Sequence, residues 1–153
     1  MAANYGVTGE QTVVEVSPGE TVLSLFSPGT THEAEIFYAS VSAGGTMADQ
    51  VQRAIFQRST VQGTEGAGVV PTQFDGDKPA SIADAGEDHS VEPTFTSATE
   101  LWEEDVHIRA LAQIQLQPTA HWIVPAVAAN GITLVTFSAT YIGTAHGTMH
   151  FLE

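Results

Sequence analysis

The stretch HGTMHFLE, residues 146–153, sets two histidines four positions apart and closes on a carboxylate. On a helix His146 and His150 would share a face and make the beginnings of a metal site. On a strand they also point the same way, but stand roughly 13–14 Å apart at about 3.4 Å per residue. One Zn²⁺ needs each ligand nitrogen within about 2.1 Å, so a strand cannot give both histidines to one ion. The residue types decide the matter. Gly147 weakens a helix, and Thr148 and Phe151 suit a pleated surface. The tail reads as a strand with Met149 and Phe151 toward a core and His150 and Leu152 facing out.

The same period of two recurs through the chain. GITLVTFSATYIG (131–143) sets Val135, Phe137, Ala139 and Tyr141 against Thr136, Ser138 and Thr140, between Gly131 and Gly143. DVHIRALAQIQLQP (105–118) reads as one long half-buried strand, with Val106, Ile108, Ala110, Ala112, Ile114 and Leu116 on one parity. AEIFYASVSAGG (34–45) breaks at Gly44-Gly45, and QVQRAIFQRST (50–60) follows as its expected hairpin partner. TVVEVSPGETVLSLFSPG (12–29) is two runs joined at Ser17-Pro18-Gly19-Glu20, where Pro fixes φ and Gly relieves it. SATELWEEDV (97–106) offers the best site for a turn of helix, capped by Ser97 or Thr99. Residues 60–93 are rich in Gly, Pro and Asp, hold no sustained period, and read as a long excursion with one short strand near Val69–Val70. About seven or eight strands at roughly 10–15-residue spacing predict an all-β chain, a single antiparallel sandwich or barrel of jelly-roll type.

Composition narrows the function classes. The 153 residues make one domain, and no cysteine is present for disulfides, thiolate metal sites or a Cys nucleophile. Eighteen acidic residues face four basic ones, Arg53, Arg58, Lys78 and Arg109, for a net charge of −14. Such a surface repels phosphate backbones and anionic lipid, so neither nucleic acid nor membrane is expected as a partner. It suits a high-salt environment or a protein arrayed densely among neighbours. The opening residues show no basic region followed by an apolar run, which predicts synthesis in the cytoplasm without a signal peptide.

Chemistry-bearing motifs are weak. THEAE (31–35) begins like a zinc-protease helix, but Ile36 stands where the second His is needed. Asp88-His89-Ser90 are neighbours on one loop and cannot form a relay among themselves. Glu103, Glu104 and Asp105 read as a solvated face. Asp75, Asp77, Asp84, Glu87 and Asp88 lack the regular spacing of a Ca²⁺ loop. His107 and His121 read as structural. No catalytic residue, metal ligand or cofactor is expected. Trp102 and Trp122 are the residues for core or interface pockets.

Taken in order, HEAEIFYASVSAGG, QVQRAIFQRSTVQGTEG, DAGEDHSVEPTF and the closing GITLVTFSATYIGTAHGTMHFLE resemble the small all-β head-decoration proteins (cement or minor capsid proteins) of tailed viruses of bacteria and archaea. The likeness is one of pattern over roughly residues 32–153. It implies a non-enzymatic virion protein on the capsid surface that binds the major capsid protein and itself, as a symmetric oligomer and by analogy a trimer. It also implies an amino-terminal arm over residues 1–9 ahead of a β domain at 10–153, with Asn4 and Tyr5, beside Trp102 and Trp122, as partner contacts. Two other classes stay open: another virion part, such as a tail, fibre or spike domain, and a carbohydrate- or ligand-binding sandwich in which Trp102, Trp122 and the acidic loop line the site.

Overall fold

The computed structural model describes residues 2–13, 19–29, 31–44, 51–107, 109–137 and 143–153. Ile108, Ser138, Ala139, Thr140 and Tyr141, and most of the turns expected around 17–20 and 44–45, lie outside them. The described chain is all β, and its strands form two antiparallel sheets packed as a sandwich. In chain order these are β1 (Asn4–Val13), β2 (Glu20–Phe26), β3 (Ala34–Gly44), β4 (Val51–Val61), β5 (Ala67–Val69), β6 (Thr72–Gln73), β7 (Asp84–Glu87), β8 (Thr94–His107), β9 (Leu111–Gln115), β10 (Trp122–Val124), β11 (Gly131–Phe137) and β12 (Gly143–Leu152). One sheet has the order β10-β3-β12-β1-β6, with β9 beside β3; the other runs β5-β7-β2-β11-β4-β8.

The closing strand behaves as its residues dictate. Along β12, Ala145, Gly147, Met149 and Phe151 are buried and His146, Thr148, His150 and Leu152 are half-exposed. Met149 and Phe151 meet Leu23, Leu25, Ile132 and Leu134 of the opposing sheet in one core. Gly9 and Gly147 lie directly opposite each other in the β1–β12 ladder, both toward that core. A Cβ at Gly147 would sit 2.5 Å from Leu134 Cδ2, and one at Gly9 2.9 Å from Leu23 Cδ1. The glycine pair is a hollow in one sheet that receives two leucines of the other. At one end Arg58 ties the sheets together, donating from Nη1 to Ile123 O at 2.7 Å.

Four expectations need correction. The single strand read over 106–116 is two: β8 ends at His107, a tight turn closes with Ala110 N donating to His107 O at 2.7 Å, and β9 begins at Leu111 in the other sheet. Alternation persists on both sides of the turn, so the pattern alone conceals the crossing. Second, β3 and β4 do not form a hairpin. β3 pairs with β12, β9 and β10, and β4 with β11 and β8. Third, the segment read as a helical turn over 97–106 lies within β8, because Trp102 and Val106 alternate inward beside Phe56 and Gln52 of β4.

The fourth departure concerns the amino terminus. Residues 4–9, read as an arm reaching a neighbour, are the first half of β1, paired along its length with β12. Tyr5 and Val7 alternate into the core, where each is 2% exposed. Tyr5 stacks on Phe151 at 5.5 Å and donates its hydroxyl to Pro79 O at 2.7 Å. The excursion at 60–93 is ordered by the edges it covers. β5 and β7 extend one sheet, and β6 pairs Tyr5 and Gly6 at the rim of the other.

Candidate functional site

The residues named from sequence scatter. Trp122 is 8% exposed in the core, and Trp102 is half-buried. Both flank Phe56, with ring centroids 5.2 and 5.7 Å away, so they fill one aromatic cluster. Asn4 is half-exposed and donates from Nδ2 to Asp75 Oδ2 at 3.2 Å. His89 packs inward and its Nε2 lies 3.3 Å from Ser24 Oγ. Since that hydroxyl donates to Gly86 O, the histidine must donate to it, which fixes the Nε2–H tautomer and leaves Nδ1 buried without a partner. Burial lowers the His89 pKa, with Asp88 opposing the shift. Ser90 turns to Thr64 O instead. The acidic residues of the excursion disperse: Asp75 to Asn4, Asp84 to Gln62, Glu87 to the backbone N–H of Glu10. Among the described residues no group of three or more His, Asp or Glu could hold a metal ion.

A different constellation forms on the outer face of the sheet that contains β12. It begins with a β-bulge. His150 pairs with Tyr38 and Phe151 with Ile36, so Phe37 is an extra residue on β3. Two successive aromatics, Phe37 and Tyr38, then turn outward to the same histidine. Without the bulge, neighbours on a strand face opposite sides. His150 is the hub: its ring lies 4.8 Å from Tyr38, 5.0 Å from Phe74 in edge-on contact, and 6.1 Å from Phe37. Burial among these rings lowers its pKa. Phe74 reaches the hub because Gly6 lies beneath it; a Cβ there would stand 2.5 Å from Phe74 Cζ.

From Phe37 the row continues into an open cleft of about 500 Å³. β9 and β10 both pair with β3, end to end, and residues 116–121 between them make the cleft wall. Phe37, Leu116, Pro118 and Leu152 supply apolar surface, while Asn4, Gln115 and Gln117 bring amides to it. His121 stands at the same wall, 6.2 Å from Phe37 by ring centroid, with Nδ1 3.2 Å from Glu35 Oε2. Sequence reasoning missed Phe37, Gln115, Gln117 and His121 as a group. The only available signal was two aromatics in adjacent positions of a strand that otherwise alternates.

No family model matches the chain, and no similar protein emerged among curated proteins or solved structures.

Proposed function

We propose that this chain is a structural component of a symmetric virion assembly, a decoration protein that binds a capsid surface and copies of itself. The observation that carries the reading is where its exposed apolar residues lie. Among the described residues eight large apolar side chains stand at least 48% exposed; Val70, Phe74, Ile82 and Val91 lie in the excursion between β4 and β8 and Val61 at the end of β4 where it begins, while Val51, Leu111 and Val127 lie elsewhere. The excursion covers edges of both sheets and so stands at the margin of the molecule. Exposed apolar residues on such a margin suit burial by a neighbour. The opposite margin is guarded: β8, an edge strand, carries Glu100, Glu103, Glu104 and Asp105, which discourage pairing with another strand. The net charge of −14 supports a place away from packaged nucleic acid. The resemblance to head-decoration proteins supplies the biological setting.

The test is co-sedimentation with expanded shells of the encoding virus. The full chain should pellet with shells and raise their melting temperature. The double substitution Val70→Asp with Ile82→Asp should abolish pelleting while the free protein keeps its own thermal midpoint within a few degrees. A chain that ignores shells, or a double variant that binds them as well as the parent, would overturn the reading.

A further inference from the structure

We infer that the cleft between Phe37 and residues 115–121, with the ring row leading from it, binds a neutral glycan. This goes beyond the assembly role; Phe74 belongs to both surfaces, while Phe37, Gln115, Gln117 and His121 belong to the cleft alone. An outer sheet face in a sandwich is ordinarily polar. Here it carries Phe37, Tyr38 and Phe74, each in ring contact with His150, and none of the four is fully buried. A bulge and a glycine, at Phe37 and Gly6, are what allow the arrangement. Such a row costs exposed apolar area in the free protein and gains nothing unless something covers it.

The chemistry of the cleft selects the occupant. A pyranose ring has one face of C–H groups, which packs on an aromatic ring, and a rim of hydroxyls that both donate and accept hydrogen bonds. Phe37 offers the ring at the cleft, and Asn4, Gln115 and Gln117 offer amides, the groups that can answer a hydroxyl in either sense. The volume, about 500 Å³, falls within the range of small-molecule sites, ~300–1,000 Å³. The four rings His121, Phe37, His150 and Phe74 follow one another at centroid spacings of 6.2, 6.1 and 5.0 Å, a track for further sugar units of a chain. The fixed charges beside it are carboxylates: Glu35 against His121 and Asp75 against Asn4. No Lys or Arg lines the cleft, so an anionic sugar has no counter-charge there, whereas a neutral one needs none.

Saturation-transfer NMR on the full-length protein reads this directly, with neutral hexasaccharides of glucose, mannose, galactose and N-acetylglucosamine as probes and a uronic-acid hexamer as the anionic comparison. At least one neutral probe should receive saturation, and Phe37→Ala should weaken it about tenfold. Gln115 and Gln117 are exposed, so Gln115→Ala with Gln117→Ala leaves the fold intact and should weaken binding severalfold; this pair decides the matter if Phe37→Ala unfolds. Shell binding should be unchanged in the double-glutamine variant, which separates this site from the assembly surface. The inference fails if no neutral probe is saturated, if saturation persists undiminished in the glutamine variant, or if the uronate binds as well as the neutral sugars.

Discussion

Single buried groups decide how the molecule responds to pH. His89 and His150 both have pKa values lowered by burial. The unfolded chain takes up protons on these rings near pH 6.5, while the folded chain resists them. Their contribution is therefore present above about pH 6.5 and is lost as pH falls through the lower folded values. Urea midpoints should drop between pH 7 and pH 5, and a His89→Gln, His150→Gln variant should show a flatter profile there. Glu92 works in the opposite sense. Burial raises its pKa despite hydrogen bonds from the Thr21 N–H and hydroxyl, so its contribution is present near and below pH 4.5 and is lost as pH rises through the higher folded value. A different buried group makes a sharper test. Gln52 is wholly buried on the inward parity of β4, and neither amide atom has a hydrogen-bond partner among the described residues. Gln52→Met keeps the volume and removes the orphaned amide, and should stabilise the fold by about 1–3 kcal/mol in chemical denaturation.

At the scale of elements, strands such as β9 and β12 were legible because one face of each meets a core, whereas β2 and β11 are buried on both faces, their threonines included. β12 follows its pattern residue by residue, and so does β9, where Ala112 is inward and Leu111 is the exposed exception. Partnership was not legible. Alternation states which side chains face in, but not which sheet supplies the ladder, so β3–β4 read as paired and β8–β9 as continuous when each in fact crosses between sheets. The bulge at Phe37 was hidden for a related reason: an inserted residue is visible only against its partner strand. Three substitutions probe the packing. Gly147→Ala drives a methyl into the space of Leu134 and should cost about 1–3 kcal/mol in urea denaturation. Trp122→Ala should cost about 3–5 kcal/mol and Trp102→Ala clearly less, since only the first is buried. Deleting residues 2–9 discriminates between an arm and a strand. An arm would leave the domain folded; loss of Tyr5, Val7 and half a ladder should abolish the cooperative transition in circular dichroism.

For the whole molecule, the sandwich presents three unlike surfaces: an acidic edge at β8, an aromatic row with a cleft on one outer face, and an apolar margin formed by the excursion. The margin and the ring row meet at Phe74, while the cleft beyond Phe37 is lined by other residues. The charge of −14 adds self-repulsion that salt screens over about 10 Å at 0.1 M, so neighbouring copies should associate more firmly as sodium chloride rises. The central claim is that the apolar margin is an interface between subunits. Native mass measurement of the parent chain and of the Val70→Asp, Ile82→Asp variant, over a hundredfold dilution at fixed ionic strength, tests it most directly. The account predicts a single closed oligomer for the parent at every dilution and a folded monomer for the variant. A parent chain that is monomeric throughout, or a variant that keeps the parent's oligomeric mass, would contradict it.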